Sequence, residues 1–570
     1  MDKPNKATTR DETRRKRRTW LRRLVWSGIV TVGLLALFVG WVLTTCFAEP
    51  PTMGQQPTIV DAAVTTDDDG RTRLGNSWFQ KHLGRSLMYV EGDPFTLGYS
   101  NSMLTAEFLE LQERSLMETI RGYLPGTLSF YSAALLVLVN NRRLPDYVAE
   151  EYKLEIFGLS SARSADAFPE FGSRYHRVLN YHAAHDISHW IWDKPVLGCT
   201  SFAAVGSRTR SGNLIVGRNF DWESGSHFDE NKVITLYRPD EGHAFLSVSW
   251  PGMAGAVTGM NDAKIFCAIN GAHTEHMGLG VGRPVSLVVR EVLQYTDNLA
   301  DAASIIAAAP VFVADTFLLA DGKSGEAIVV EKSPAASAVR TMDRELILQS
   351  NHFESPSMRD DRGNLEYMRE GTTVPRRNRL AELLTRHSGE LDPPTTARIL
   401  RDRLGPGDAP RGLGHRATIN PMIATHSVVA DVTNGILWVS RGRHQLGVYD
   451  AYDIDNFGDP VAEPIPADEA LENGDYERLG RFRSLLGELE SLFSNGPAAA
   501  ELRGKFDEAE ALNPLSPEIL QMQGRYFELV RDPRAALSKY RAARDAYPPF
   551  RIDRESLLDR IQRLERDRQP

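Results

Sequence analysis

Cysteine is scarce in this 570-residue chain, with only three residues. That count excludes a disulfide scaffold, and the odd number leaves at least one thiol free. A strong charge of either sign is also missing: 66 Lys and Arg against 75 Asp and Glu give a net charge of −9. A weakly acidic total argues against a general nucleic-acid binder. Hydrophobic residues make up 42% and charged residues 25% of the chain, which excludes a wholly disordered or fibrous protein. The length predicts three or four domains of about 150 residues each.

The charge is unevenly spread. Residues 1–23 hold ten Lys and Arg against three acids, so they carry +7 and the remainder carries −16. Leu24 to Phe47 then contains no charged residue. At 1.5 Å per residue it is long enough to cross a hydrocarbon core of about 30 Å. The basic block before it predicts a cytoplasmic N-terminus and a periplasmic or extracellular remainder. A cleaved signal peptide is the alternative, for which Cys46-Phe47-Ala48 is a fair cleavage site. Thr45 is a poor fit to a lipoprotein signal. Residues 49–76 are rich in Pro, Thr, Asp and Gly and read as a flexible, solvated stalk.

Residues 77–198 read as mainly helical, with apolar residues at helical spacing between Ser102 and Tyr123. From 199 to 457 the texture changes to short β-rich runs bounded by Gly, Asn and Asp. Strands are predicted at Asn213–Gly217, Lys232–Leu236, Ala244–Trp250, Lys264–Ile269, Thr316–Ala320, Ala327–Val330, Leu346–Leu348, His426–Ala430 and Ile436–Val439. Helices are predicted near 284–296 and 298–308. Such a pattern implies sheets with helices packed on them. Residues 466–570 turn to charged, Ala- and Leu-rich helix. Leu520, Gly524, Phe527, Ala536, Tyr540, Ala543 and Pro548 fit a tetratricopeptide-like helical pair, and Phe493, Phe506, Ala509 and Pro514 repeat it 34 residues earlier. These units are too few to stand alone, so they are expected to lean on the preceding domain. A partner groove and a structural cap are equally open as their role.

The chemistry concentrates at Gly198-Cys199-Thr200-Ser201-Phe202 and Gly217-Arg218-Asn219-Phe220-Asp221-Trp222. A β-hairpin over 199–221 brings Arg218 and Asp221 back beside Cys199. A thiol with an ordinary pKa near 8.5 needs help to ionise at neutral pH, and a guanidinium supplies it. Cutting the chain before Cys199 exposes an α-amine that titrates near 7.7–8.0 and serves as base for its own side chain. Asp221 then holds that amine.

On these residues the sequence resembles the N-terminal-nucleophile cysteine hydrolases of the penicillin acyltransferase and choloylglycine hydrolase type. The resemblance spans roughly 199–457, with a weaker match over 88–198. It implies an α+β fold: a four-layer αββα sandwich, here with an N-terminal transmembrane helix and C-terminal all-α tetratricopeptide-like helices. It implies self-cleavage at Gly198–Cys199 and acyl chemistry at amide bonds. It also implies that Cys199, Arg218 and Asp221 are catalytic. Within Gly259-Met260-Asn261-Asp262 to Ala268-Ile269-Asn270-Gly271 it points to Asn270, and within Ser350-Asn351-His352-Phe353 to Asn351, as oxyanion residues. In Pro375-Arg376-Arg377-Asn378-Arg379-Leu380, Arg376 fits the second arginine best, with Arg377 and Arg379 open. Trp222 is a candidate substrate contact. The Cys–Arg spacing of 19 residues is longer than in the bile-salt members, so the hairpin tip differs.

Other features read as structural. Cys267 sits in an apolar strand and is expected in the core. His182, His185 and His189 share a helical face, where a hydrated surface or an internal contact is favoured over a metal site. No metal or cofactor is expected.

The expected protein is therefore a membrane-anchored, extracytoplasmic cysteine amidohydrolase or acyltransferase. Its expected substrate is a small amphiphilic N-acyl compound, with a protein partner at the C-terminal repeats and no nucleic acid. The expected organisation is a basic segment (1–23), anchor (24–47), stalk (49–76), helical α-chain region (77–198), catalytic domain (199–457) and repeats (466–570). Alternatives are an acyl-CoA-dependent N-acyltransferase, and an inactive scaffold that displays the repeats.

Overall fold

A computed structural model describes residues 6–54, 57–161, 167–191, 198–222, 227–276, 280–494 and 499–567. The chain opens with a long helix, Lys6–Thr45. Its Thr19–Thr45 stretch has a mean hydropathy of 2.1 and is long and apolar enough to cross a membrane. Leu24, Trp26, Ile29, Leu34, Leu37 and Leu43 are all exposed along it. Leaving that much apolar surface in water is unfavourable by roughly 25 cal/mol per Å2. The helix ends against the protein body: the Phe47 ring meets His176 at 5.1 Å, and the Ala48 N–H donates to His176 Nδ1 at 3.1 Å.

Residues past the helix are more ordered than their composition suggests. Thr65–Thr66 and Thr72–Leu74 are strands that pair with each other, and the second pairs with Ser77–His82. Leu74 is fully buried, and Arg71 lies 4.5 Å over the Trp78 ring. Within 49–76, residues 65–66 and 72–74 thus belong to a sheet rather than to a solvated stalk. The helical expectation for 77–198 fails over Ser77–His82 and Arg85–Gly92, which form a β-hairpin. It holds afterwards, in Pro94–Leu104, Ala106–Tyr123, Thr127–Asn140, Glu150–Ser160, Arg174–Tyr181 and Ala184–Ile191.

Two sheets make the body. An eleven-stranded sheet runs from Thr65–Thr66 at one edge to Ser337–Thr341 at the other. Its N-terminal and central halves meet where Leu87–Gly92 pairs in parallel with Ile234–Pro239. Elsewhere its described pairings are antiparallel. The second sheet has six strands, in the order Leu346–Gln349, Thr200–Ala204, Ile215–Asp221, Ala424–Asp431, Ile436–Ser440 and Tyr449–Tyr452.

Strand Ile265–Ala272 shows why the sheets stack. Every residue in it is buried. Ile265, Cys267 and Ile269 pack toward the helices, whereas Phe266 and Ala268 pack with Val216, Ala203 and Val428 of the six-stranded sheet. A strand covered on both faces reads as a continuous apolar run rather than an alternation. The outer face of the six-stranded sheet is covered by helices Thr373–Arg386 and Pro393–Leu400, through Leu380, Leu384 and Ile399. Helix, sheet, sheet and helix therefore lie in four layers. Cys267 takes its expected core position, and burial pushes its thiol pKa well up.

Residues 475–566 fold as five helices among the described residues. Gly524 allows two of them to touch: a Cβ there would meet the Tyr540 ring at 2.3 Å. The group rests on the central domain. Met422 and Leu446 join its core, and the Asn513 carboxamide both donates to Leu413 O and accepts from Leu413 N–H, each at 3.0 Å.

Candidate active site

Cys199 precedes the first residue of strand Thr200–Ala204. That strand pairs with Ile215–Asp221 in the register Thr200 to Asn219 and Ser201 to Arg218, which is the expected hairpin. The Gly198 N–H donates to Asp221 O at 3.0 Å, so the pairing continues past the strand ends and seats the Gly198–Cys199 peptide beside Asp221. A Cβ on Gly198 would stand 3.6 Å from Asp221 Oδ2. Cys199, Arg218 and Asp221 are all fully buried.

Burial pushes the Cys199 pKa up. Arg218 and Arg376 pull it down, as does a backbone hydrogen bond from Asp221, while the Asp221 carboxylate pushes it up. The net shift is upward, so in the uncut chain the thiol holds its proton. Arg218 sits in hydrogen-bonding reach of the thiol, and burial lowers its own pKa to about 10. Its guanidinium donates to Val257 O at 3.1 Å and to Ile269 O, and it lies 4.6 Å over the Phe220 ring. It also faces His426 Nε2 at 3.0 Å. Since arginine only donates, that nitrogen carries a lone pair, and burial with the nearby Arg218 charge holds His426 neutral.

Of the three arginines in the 375–380 run, Arg376 reaches the site. It donates to Cys199 O at 2.5 Å, Thr200 Oγ1 at 3.0 Å and Asn351 Oδ1 at 2.6 Å. Arg377 pairs instead with Glu354 at 2.9 Å, and Arg379 with Asp402 and Asp408, each at 2.8 Å. Helix Thr373–Arg386 turns these three side chains to different neighbours, which spacing alone does not resolve.

Asn270 and Asn351 each bond the backbone of the other's neighbour. Asn270 Nδ2 donates to Ser201 Oγ at 3.1 Å and Ser350 O at 3.2 Å. Asn351 Nδ2 donates to Gly271 O at 2.8 Å. An amide nitrogen has two protons, so the Asn270 side chain has none left for an oxyanion in this arrangement, and Asn351 keeps one.

Two residues that the sequence reading missed stand nearby. Arg416 brings Nη1 to 3.5 Å from the point where a Cβ on Gly198 would sit. The Tyr367 hydroxyl is electrostatically coupled to Cys199, Arg376 and Arg416; burial raises its pKa to about 12, against the pull of the two arginines. Its ring stacks on His273 at 4.2 Å. Neither residue lies in a run that resembles a motif, and each joins the site only by folding.

His182 and His185 turn to different neighbours. Among the described residues, His182 Nδ1 bonds Val178 O at 2.7 Å and its Nε2 accepts from the Ala254 N–H at 2.8 Å. His185 lies 3.8 Å from Asp315. The His189 side chain lies outside the described residues. His182 and His185 are internal contacts rather than a hydrated face.

Two cavities meet at Trp222, the residue after Asp221. One, of about 100 Å3, is lined by Phe220, Trp222, Trp250 and Val257. The other, of about 350 Å3, runs between the Ala106–Tyr123 and Thr127–Asn140 helices toward Phe47. They share Leu116, Tyr181, Ala184 and Trp222, so a nearly continuous apolar passage leads from the Arg218 side of the site to the end of the N-terminal helix.

A buried thiol, two arginines and a carboxylate around one peptide bond define a site for acyl chemistry. A family-model match points to the same chemistry. A sequence model of the acyl-coenzyme A:6-aminopenicillanic acid acyl-transferase family matches residues 207–410, a span holding Arg218, Asp221, Asn270, Asn351 and Arg376 but neither Cys199 nor Arg416. An uncharacterized protein of Archaeoglobus fulgidus is 28% identical over 313 residues, covering 51% of this chain and 51% of that protein. Protein dcd1B of Dictyostelium discoideum is 23% identical over 283 residues, covering 46% of this chain and 52% of that protein. The chain thus spans about half the length of the curated relatives it matches. Among solved structures, a Caenorhabditis elegans N-acylethanolamine-hydrolyzing acid amidase ortholog aligns with a TM-score of 0.31 and 16% identity, over 41% of this chain and 93% of that one. A mutant conjugated bile acid hydrolase from Clostridium perfringens aligns with a TM-score of 0.29 and 13% identity, over 47% and 95%.

Proposed function

We propose that the protein is an N-terminal-nucleophile cysteine amidase, activated by cleavage between Gly198 and Cys199. The observation that carries this reading is the convergence of Arg218, Asp221 and Arg376 on that one buried peptide. In the first step the Cys199 thiol adds to the Gly198 carbonyl and the C–N bond breaks. This leaves a thioester on Sγ and a free Cys199 amine. Water then cleaves the thioester, giving a Gly198 carboxylate and the mature N-terminus.

The mature site repeats the chemistry on substrate. The α-amine takes the thiol proton as Sγ attacks the amide carbonyl, then returns it to the departing amine. Water or a second amine releases the acyl group. Asn351 and a main-chain N–H near Cys199 bind the oxyanion, each worth about 3–4 kcal/mol in a dry, preorganised hole. Asn270 positions the strand ends, Asp221 holds the amine, and Arg218 and Arg376 favour the thiolate.

The apolar passage past Trp222 suits an acyl chain. Its far end lies at Phe47, beside the proposed anchor, and Leu128, Tyr131, Leu135 and Leu136 are exposed on the neighbouring helix. An amphiphilic N-acyl compound held at a membrane is the substrate this favours, with the catalytic domain outside the cytoplasm and hydrolysis preferred over transfer.

A denaturing gel tests the reading. Wild type runs as fragments of residues 1–198 and 199–570, and Cys199→Ala runs intact. A wild-type chain that stays whole while hydrolysing N-acyl amides refutes the self-cleavage.

A further inference from the structure

We propose that the helix Thr127–Asn140 docks into the lipid of a bilayer leaflet, as a second membrane contact beside the N-terminal helix. The proposal concerns how the protein sits on a membrane. It goes beyond the amidase reading and does not depend on it.

The make-up of the helix carries the first part. Its 14 residues include no charged side chain. A helix that is apolar on all sides belongs in a protein core or in lipid. Phe130 is buried, but Leu128 is 82% exposed, and Tyr131, Leu135 and Leu136 are exposed with it. At 1.5 Å per residue the helix is about 21 Å long, too short to cross a hydrocarbon core of about 30 Å. An apolar stretch of this length that lies outside the core fits an interfacial or re-entrant segment. The turn before it agrees. Ala106–Tyr123 and Thr127–Tyr147 meet at 118°, and the bent pair together is long and apolar enough for a broken span or re-entrant loop.

The neighbours of the helix carry the second part. Arg142, two residues past its end, lies 5.8 Å over the Trp41 ring. Trp41 belongs to the apolar stretch Thr19–Thr45, about one turn before that stretch ends. The exposed helix therefore stands where the N-terminal helix would leave a bilayer. Arg121 and Arg142, both exposed, flank it, and Arg121 folds over the Phe130 ring at 5.2 Å. Cations on both sides of an uncharged run lay their stems on apolar surface and carry their heads to lipid phosphates. The cavity of about 350 Å3 lies under the same helix. Ala134, Val137 and Leu138 line it, while Tyr131 and Leu135 both line it and are exposed. These two form its rim, so the cavity opens on the face that meets lipid, and a membrane-dissolved ligand enters it without crossing water.

The test uses the full-length Cys199→Ala chain, in which the remaining native cysteines, Cys46 and Cys267, are buried. Leu128→Cys and Leu135→Cys are each labelled with a nitrobenzoxadiazole fluorophore and reconstituted in vesicles of phosphatidylcholine and phosphatidylglycerol. Ser556→Cys, exposed on the Arg551–Arg566 helix, sets the aqueous limit. The expected result at 128 and 135 is a blue-shifted emission, quenching by lipids with a nitroxide on the acyl chain, and loss of quenching by aqueous iodide. Ser556→Cys is expected to show the reverse. Adding Leu128→Asp and Leu136→Asp to the 135-labelled chain is expected to return the label to iodide, with the far-UV circular dichroism unchanged because both residues are exposed. The proposal is overturned if iodide reaches 128 and 135 as it reaches 556, which puts the helix in water. It is overturned equally if neither quencher reaches them, which puts a protein surface over the helix, a second copy included, or if the two aspartates leave the lipid quenching unchanged. No readout needs turnover. A protein that is inactive on every amide yet quenched by lipid at these positions refutes the amidase reading alone.

Discussion

Replacing Arg376 by methionine isolates the clamp on which the site depends. The guanidinium is buried and satisfies Cys199 O, Thr200 Oγ1 and Asn351 Oδ1. A methionine fills much of its volume but donates nothing. The Thr200 hydroxyl has other ways to turn, which leaves two buried acceptors unsatisfied. At about 1–3 kcal/mol each, the loss is about 2–6 kcal/mol. Part returns because the guanidinium is itself costly to bury: burial lowers its pKa. The net expectation is about 2–4 kcal/mol, read as a shift in the urea midpoint. The kinetic consequence is separate. The Asn351 carboxamide loses its hold on Arg376 and keeps the bond to Gly271 O, so its second N–H no longer points at one place. Losing one oxyanion donor costs about 100–1,000-fold in kcat. The assay is the rate of fragment appearance on a denaturing gel, followed by single-turnover acyl release from processed protein. Arg376→Met that keeps the wild-type midpoint and processes within threefold of the wild-type rate refutes the reasoning. Arg376→Lys serves as control: it keeps the charge, cannot span the three acceptors, and is expected to fall between the two.

Burial raises the Asp186 pKa to about 8, and burial with the Asp186 charge raises that of Asp315. A folded-state pKa above the unfolded value of about 3.9 gives stability that is present below pH 4 and lost as pH rises through 8. Asp186→Asn is expected to flatten that decline, which amounts to on the order of 5 kcal/mol; parallel stability–pH curves for the two proteins count against it. After cleavage the two fragments remain one particle, because Leu87–Gly92 and Ile234–Pro239 share a six-residue parallel ladder; release of the 199–570 fragment by a salt wash without denaturant contradicts this. A thiol-reactive probe is expected to label Cys199 only after processing and Cys267 only on unfolding, since both are fully buried; labelling of Cys267 in native protein breaks the expectation. Gly524→Ala pushes a methyl into the Tyr540 ring and is expected to cost about 1–3 kcal/mol in the C-terminal helices, visible by local hydrogen exchange; unchanged protection there tells against that packing.

Local pattern made much of this legible in advance. The Cys199, Arg218 and Asp221 grouping follows from one hairpin, so it needs no contact more distant than the neighbouring strand. The strands at Val233–Pro239, Ile265–Ala272 and Ala314–Asp321 announce themselves as apolar runs because both of their faces are covered. The two outermost strands on that side, Thr65–Thr66 and Thr72–Leu74, did not, because short strands largely open to water have no apolar signature and their Thr, Asp and Gly read as loop. The Ser77–Gly92 hairpin was hidden for a related reason: its polar turn and short runs precede a long helical segment that dominates the composition.

The sequence by itself determined the apolar N-terminal helix, the alternation of strands and helices, and the hairpin that returns Arg218 and Asp221 to Cys199, since each is written in neighbouring residues. Only the tertiary structure decided among Arg376, Arg377 and Arg379, bonded Asn270 and Asn351 to each other's neighbours, and brought Tyr367 and Arg416 to the same peptide bond. Those choices depend on the phase of one helix against a sheet and on a loop clamped by helices a hundred residues further on. No periodicity in the chain encodes such distances; they are fixed by the packing of four layers and of the helical group beside them.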